Sequence, residues 1–156
     1  MKVQDIMTRA VHSVRPADSI AEAARSMVEN DVGFLPVIDG RDLVGVVTDR
    51  DIAVRAVAAQ ADSHSPVRRI MSEDVATCSP DDDVEDALET MSNEQVRRLP
   101  VCDDRDEVVG IIGLADAAMR DPEPSEVTET FAEICQSTGL HCQAPVPRES
   151  KPLLEV

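Results

Sequence analysis

The residues best suited to chemistry in this chain are Thr48-Asp49-Arg50-Asp51, placed where an apolar run ends and a helical pattern begins. Two readings stand side by side. In one, Thr48 is a helix N-cap and Asp51, three residues on, completes a variant capping box worth about 1 kcal/mol without any ligand. In the other, free backbone N–H groups at the helix start receive a phosphate near Thr48. Asp51 would repel that phosphate, yet it can accept two hydrogen bonds from a ribose diol. A related stretch, Gly113-Leu114-Ala115-Asp116, keeps the aspartate and lacks the threonine. Arg97-Arg98, taken alone, read as a surface pair offsetting Glu94 and the acidic turn at Asp103, Asp104 and Asp106. No nucleophile–base pair and no metal-ligand spacing accompanies these groups, so neither a catalytic nor a metal site is expected.

The two stretches are related because the chain repeats itself. Met7-Thr8 through Met27 lies over Met71-Ser72 through Met91 at an offset of 64 residues, and Leu35-Pro36-Val37 lies over Leu99-Pro100-Val101. After one extra residue in the following turn, Gly45-Val46-Val47 matches Gly110-Ile111-Ile112 and Asp51 matches Asp116. A unit of about 55 residues buries too little surface to be comfortably stable alone, so the copies should pack together and leave a cleft between them.

Each copy opens with apolar spacing (Val3, Ile6, Met7; Val67, Ile70, Met71), then a short extended stretch, Ala10–Val14 or Asp74–Cys78. A helix follows Pro16 or Pro80, with apolar positions Ile20, Ala23, Ala24, Met27, Val28 or Val84, Ala87, Leu88, Met91, the spacing of one buried face. Two strands joined by an acidic turn come next, with proline in the first strand marking an edge or end position. A second helix spans Asp49 to about Ala59, or Leu114 to Arg120. The expected domains are 1–59, a polar linker 60–65, 66–120, and 121–156. In the last, a break at 121–124 precedes a helix capped by Ser125 and ended by Gly139, and a flexible end follows from Gln143.

Composition narrows the partners. A formal charge of −16 argues against nucleic acid and anionic membranes, and only two aromatic residues, Phe34 and Phe131, argue against base-stacking platforms. No leader or membrane-length run is evident, and the scattered cysteines suit a reducing compartment, so a cytoplasmic protein is expected. Cys78 and Cys102 read as small core residues. Cys135, His141 and Cys142 lie near one another in sequence but lack metal spacing; packing, a disulfide or a redox pair remain open.

The V-x-x-I-M opening, the L-P-V strand and the G-h-h-T-x-x-D strand end (h, apolar) resemble a CBS domain. Two in tandem resemble a CBS pair, or Bateman module, from about Val3 to Arg120. Thr48–Ile52 and Glu94–Arg98 are similar to small stand-alone bacterial CBS pairs of the hypoxic response protein type. The resemblance implies an α+β fold, β-α-β-β-α per copy with pseudo-twofold packing, here with a C-terminal helix and tail. It also implies a homodimer and a non-catalytic regulatory role toward a separate effector protein. The implied regulatory ligand is AMP, ADP or ATP (in some members S-adenosylmethionine or NAD), with no tightly bound cofactor.

By the same resemblance, Thr48 serves a phosphate, Asp51 or Asp116 a ribose, and Ala10, Val11 and the Val32–Leu35 segment, including Phe34 and Leu35, the adenine. Arg97 and Arg98 stand where a phosphate-binding basic residue is often found, a place filled in copy one by Gly33-Phe34. Each copy thus lacks what the other has. A lost hydrogen bond to a charged group costs about 1.5–3 kcal/mol, roughly 10–100-fold in affinity, so unequal clefts are expected. The favoured expectation is a working site at Thr48 and Asp51, with Arg50 or an arginine across the interface on the phosphates. The alternative is a stress-associated dimeric scaffold with vestigial clefts.

Overall fold

The computed structural model describes residues 1–120 and 125–136. The first copy runs α1 (Val3–Ile6), α2 (Ile20–Asn30), β1 (Phe34–Asp39), β2 (Asp42–Thr48) and α3 (Asp49–Asp51), which continues as a π-helix over Ile52–Val57. The second opens with a 3-10 turn (Val67–Arg69), then α4 (Val84–Glu94), β3 (Arg98–Cys102), β4 (Val108–Gly113) and α5 (Leu114–Arg120). A last helix, α6 (Ser125–Gln136), follows. This is an α+β pair of repeats, as the sequence implied. The expected break at 121–124, the stop at Gly139, the His141 and Cys142 members of the cysteine group and the end from Gln143 lie outside the described residues.

Local chemistry sets the element ends. Ser19 Oγ accepts from Glu22 N–H at 3.2 Å while the Glu22 carboxylate accepts from Ser19 N–H at 2.7 Å, the reciprocal box that starts α2 and holds the Glu22 carboxyl below its ordinary pKa. Asp31 and Gln95 end α2 and α4 in the left-handed conformation. The hairpins pair antiparallel, Phe34 opposite Thr48 and Arg98 opposite Gly113, so each strand pair delivers its helix start beside the residue that opens its first strand.

Two expectations change. The extended stretches are not full strands: each gives one parallel bridge, Val14 to Val37 and Cys78 to Val101. Pro36 and Pro100 explain the limit. Each directs its carbonyl to that flank, accepting from Val14 at 3.0 Å and Cys78 at 3.2 Å, but has no N–H to carry the pairing further. Val28, assigned to the buried face of α2, is 82% exposed. Ile20, Ala23 and Met27 already complete a narrow buried stripe, and the next residue turns to solvent.

Two hydrophobic cores form, and each contains the opening segment of the other copy. Val3, Ile6 and Met7 join Leu88, Met91, Leu99, Val101 and Ile112, whereas Val67 and Ile70 join Ile20, Leu35, Val37 and Val47. The exchange accounts for the glycine that begins each G-h-h run. A Cβ on Gly45 would lie 2.8 Å from the Ser72 carbonyl oxygen, and one on Gly110 would lie 2.5 Å from Met7 Sδ. The incoming segments also bridge to those strands, Thr8 to Ile111 and Ser72 to Val46. Arg55 Nη1 donates to the Ile70 and Met71 carbonyls at 3.0 and 3.2 Å; its counterpart, Arg120, donates to the Asp5 carbonyl at 3.3 Å. Cys78 sits in the second core, where burial pushes its thiol up to about 12, with Asp82 and Cys102 adding to the effect. Cys102 is half-buried and its thiol is raised for the same first reason.

Candidate functional site

The start of α5 faces a cleft of about 680 Å³, within the range of small-molecule sites. Copy two contributes Arg97, Arg98, Ile111 and Gly113–Asp116; copy one contributes Thr8, Ala10, His12 and Asp31–Phe34; α6 adds Val127, Thr128 and Phe131. The exchange of opening segments is what brings Thr8, Ala10 and His12 here, because Thr8 is tied to Ile111 by hydrogen bonds of 2.8 and 3.0 Å. Both aromatic rings of the chain, Phe34 and Phe131, line this one cleft.

Of the residues singled out in the sequence, Ala10, Phe34, Arg97, Arg98 and Asp116 are thus gathered together. Thr48, Arg50, Asp51, Val11 and Leu35 do not line the cleft. Leu35 is wholly buried in the first core. Thr48 and Asp51 form the reciprocal cap. Thr48 Oγ1 accepts from Asp51 N–H at 3.1 Å, and Asp51 Oδ2 accepts from Thr48 N–H at 2.9 Å and from the Thr48 hydroxyl at 3.0 Å. The remaining oxygen, Asp51 Oδ1, lies 3.5 Å from Arg55 Nε. Both carboxylate oxygens of Asp51 are therefore engaged by its own helix.

Asp116 is held more lightly. Its Oδ2 accepts from Gly113 N–H at 2.8 Å, and no threonine hydroxyl is present to add a second bond. Gly113 lets the Arg98 side chain lie close to the start of α5, since a Cβ there would crowd Arg98 Cγ at 3.3 Å. The carboxylate and two guanidiniums of one cleft can take opposite ends of a ligand: hydroxyls on Asp116, an anion on Arg97 or Arg98. Apolar walls at Phe34, Val32 and Ile111 suit a flat ring between them. Among the described residues, no cluster of three or more His, Cys, Asp or Glu could hold a metal ion, and no helix is long and apolar enough to cross a membrane.

Sequence reasoning missed Thr8, His12, Asp31 and the α6 residues. Nothing in a repeat pattern shows that opening segments are exchanged. The lone aromatic of the last segment, Phe131 in a chain nearly free of rings, was a usable signal.

The CBS domain family matches the chain twice, over residues 3–57 and 67–121. The CBS domain-containing protein YhcV of Bacillus subtilis is 41% identical over 117 residues, which cover 75% of this chain and 83% of that protein. Among solved structures, the CBS domain pair of protein MJ0100, in complex with 5'-methylthioadenosine and S-adenosyl-L-methionine, superposes with a TM-score of 0.70 at 31% identity. That match covers 76% of this chain and 94% of the other. Hypoxic Response Protein I with two coordinated zinc ions gives a TM-score of 0.72 at 31% identity, covering 78% of this chain and all of that one.

Proposed function

The chain belongs to the CBS domain family as a tandem pair, and from that premise we propose a non-catalytic regulatory module whose cleft takes an adenosine-containing ligand of the AMP, ADP or ATP class. The observation that carries this reading is the meeting of Asp116, Arg97, Arg98 and both aromatic rings in one cleft of about 680 Å³. In this reading the Asp116 carboxylate accepts from the ribose hydroxyls, Arg97 and Arg98 face the phosphate, and the adenine lies against Phe34, Val32 and Ala10. The adenosine compounds bound by the MJ0100 pair support the adenosine part of this reading.

The preference drawn from sequence, for Thr48 and Asp51, gives way here to Asp116, because the Asp51 oxygens already serve the cap and Arg55. Self-association is part of the proposal. Val54 and Val57 in copy one and Met119 in copy two are exposed apolar residues on the second helices, available to a second copy.

Calorimetric titration of AMP, ADP, ATP, S-adenosylmethionine and NAD into wild type, Asp116→Ala and Asp51→Ala tests the reading. Binding to wild type, weakened roughly 10–100-fold by Asp116→Ala and little by Asp51→Ala, is expected. No binding at millimolar ligand turns the interpretation to a scaffold with vestigial clefts. A loss confined to Asp51→Ala moves the site to copy one.

A further inference from the structure

Arg97 and Phe131 come from unrelated parts of the chain. Arg97 immediately precedes β3, and Phe131 belongs to α6, outside both repeats. Yet the Arg97 guanidinium carbon lies 5.8 Å from the Phe131 ring centroid, over the ring, and both side chains line the cleft. Burial does not account for the ring, which is 50% exposed. Its helix neighbours Val127 and Ile134, four residues before and three after, are the ones buried in the second core. Residues at that spacing share one face of α6, so Val127 and Ile134 anchor the helix and Phe131 stands at the half-exposed edge of the same stripe, where it meets Arg97.

A guanidinium attracted to a ring through its charge spends none of its five N–H donors on that contact, so they can meet an anion. We propose that Phe131 is a positioning residue. It holds the Arg97 guanidinium over its ring so that N–H donors remain for the phosphate end of the ligand, and it thereby couples α6 to occupancy of the cleft. The inference rests on the adenosine-ligand reading above and assigns α6 a part in it. Coupling of this kind is reciprocal: if the docked ring strengthens phosphate binding, bound phosphate steadies the docked helix by the same factor. Adenosine, which fills the same cleft without a phosphate, should leave α6 as it was.

The test titrates AMP and adenosine into wild type, Phe131→Leu, Phe131→Tyr, Arg97→Ala and the Arg97→Ala/Phe131→Leu double variant. Circular dichroism checks that each is folded. A cation over a half-exposed ring is worth roughly two- to fivefold in affinity. Phe131→Leu should weaken AMP by that factor relative to adenosine. Phe131→Tyr, which retains the ring face, should bind AMP as wild type does, and in the Arg97→Ala background Phe131→Leu should cost nothing more. Amide exchange over residues 127–134 of wild type should slow with AMP and not with adenosine. Equal losses for AMP and adenosine, or additive losses in the double variant, overturn the inference and leave the functional reading standing. A wild type that binds neither compound overturns both.

Discussion

The two copies agree in scaffolding and differ in what their helix starts are used for. Asp49 N–H donates to the Gly33 carbonyl and Leu114 N–H to the Arg97 carbonyl, both at 3.1 Å, and Arg55 and Arg120 fasten the exchanged segments from matching places. Against that common frame, Asp51 is enclosed by Thr48 and Arg55, whereas Asp116 has one bond from Gly113 and faces a cleft with two arginines. The matching aspartates are both part-buried, but Asp51 is taken up by its cap and Arg55, while Asp116 lines the cleft. A motif residue takes its work from its neighbours: one threonine and one arginine occupy both oxygens of Asp51, whereas Asp116 is bonded by the Gly113 N–H.

The largest test of this comparison concerns the cores. Leu35 and Leu99 are equivalent and fully buried, so Leu35→Ala and Leu99→Ala should each cost about 2–5 kcal/mol in urea unfolding followed by circular dichroism. Each core includes the other copy's opening segment, so each variant should unfold in one transition; two separate transitions would break the equivalence. Next come the glycines under the exchanged segments, where Gly45→Ala and Gly110→Ala should cost about 1–3 kcal/mol. Gly45 should be the more sensitive, because a backbone oxygen stands 2.8 Å from its added Cβ, whereas at Gly110 the nearest atom belongs to a pliable methionine and the backbone oxygen is at 3.2 Å. The reverse order in denaturation midpoints would remove that account.

Smaller still, Thr48→Ala should lower stability by about 1 kcal/mol while leaving AMP affinity unchanged; a change in calorimetric affinity would return copy one to the binding role. A last test, visible only at alkaline pH, concerns the bridge residues, Val14 in copy one and Cys78 in copy two. The Cys78 thiol is held at about 12 in the fold against an ordinary 9.0. The unfolded chain therefore releases this proton first. The contribution of Cys78 is intact below pH 9 and is lost as pH rises toward 12. Cys78→Val, which installs the copy-one residue, should remove that part of the alkaline decline when unfolding free energies are compared from pH 8 to 10.5.

Much of this fold was legible because its determinants are local. Helix faces and hairpin turns are written in residues a few positions apart, and the repeat supplied each of these readings a second time. The cap at Thr48 and Asp51 was equally legible, including its competition with a ligand role. What could not be read was anything set by which copy packs on which. The exchange of Val3–Met7 with Val67–Met71 obeys the same apolar spacing whether a segment folds back or crosses over, so spacing alone cannot choose. The cleft inherits that ambiguity: Asp116, Arg97 and Arg98 were named, but their meeting with Thr8, His12 and Phe131 depends on crossing segments and on a helix beyond the repeats. Val28 was misplaced for a simpler reason: a narrow stripe needs fewer apolar residues than the pattern supplied.

The crossing of opening segments carries one more consequence. A chain severed within residues 60–65 would give two pieces, each with a hydrophobic groove open and each bearing the wedge that closes the other: Val3, Ile6 and Met7 on the first, Val67 and Ile70 on the second. Neither piece is sealed by its own sequence. The pieces are complementary halves of a split protein, and mixing them should restore both cores in one association step. In that light the linker acts as a tether that keeps two reciprocal keys within reach of their locks.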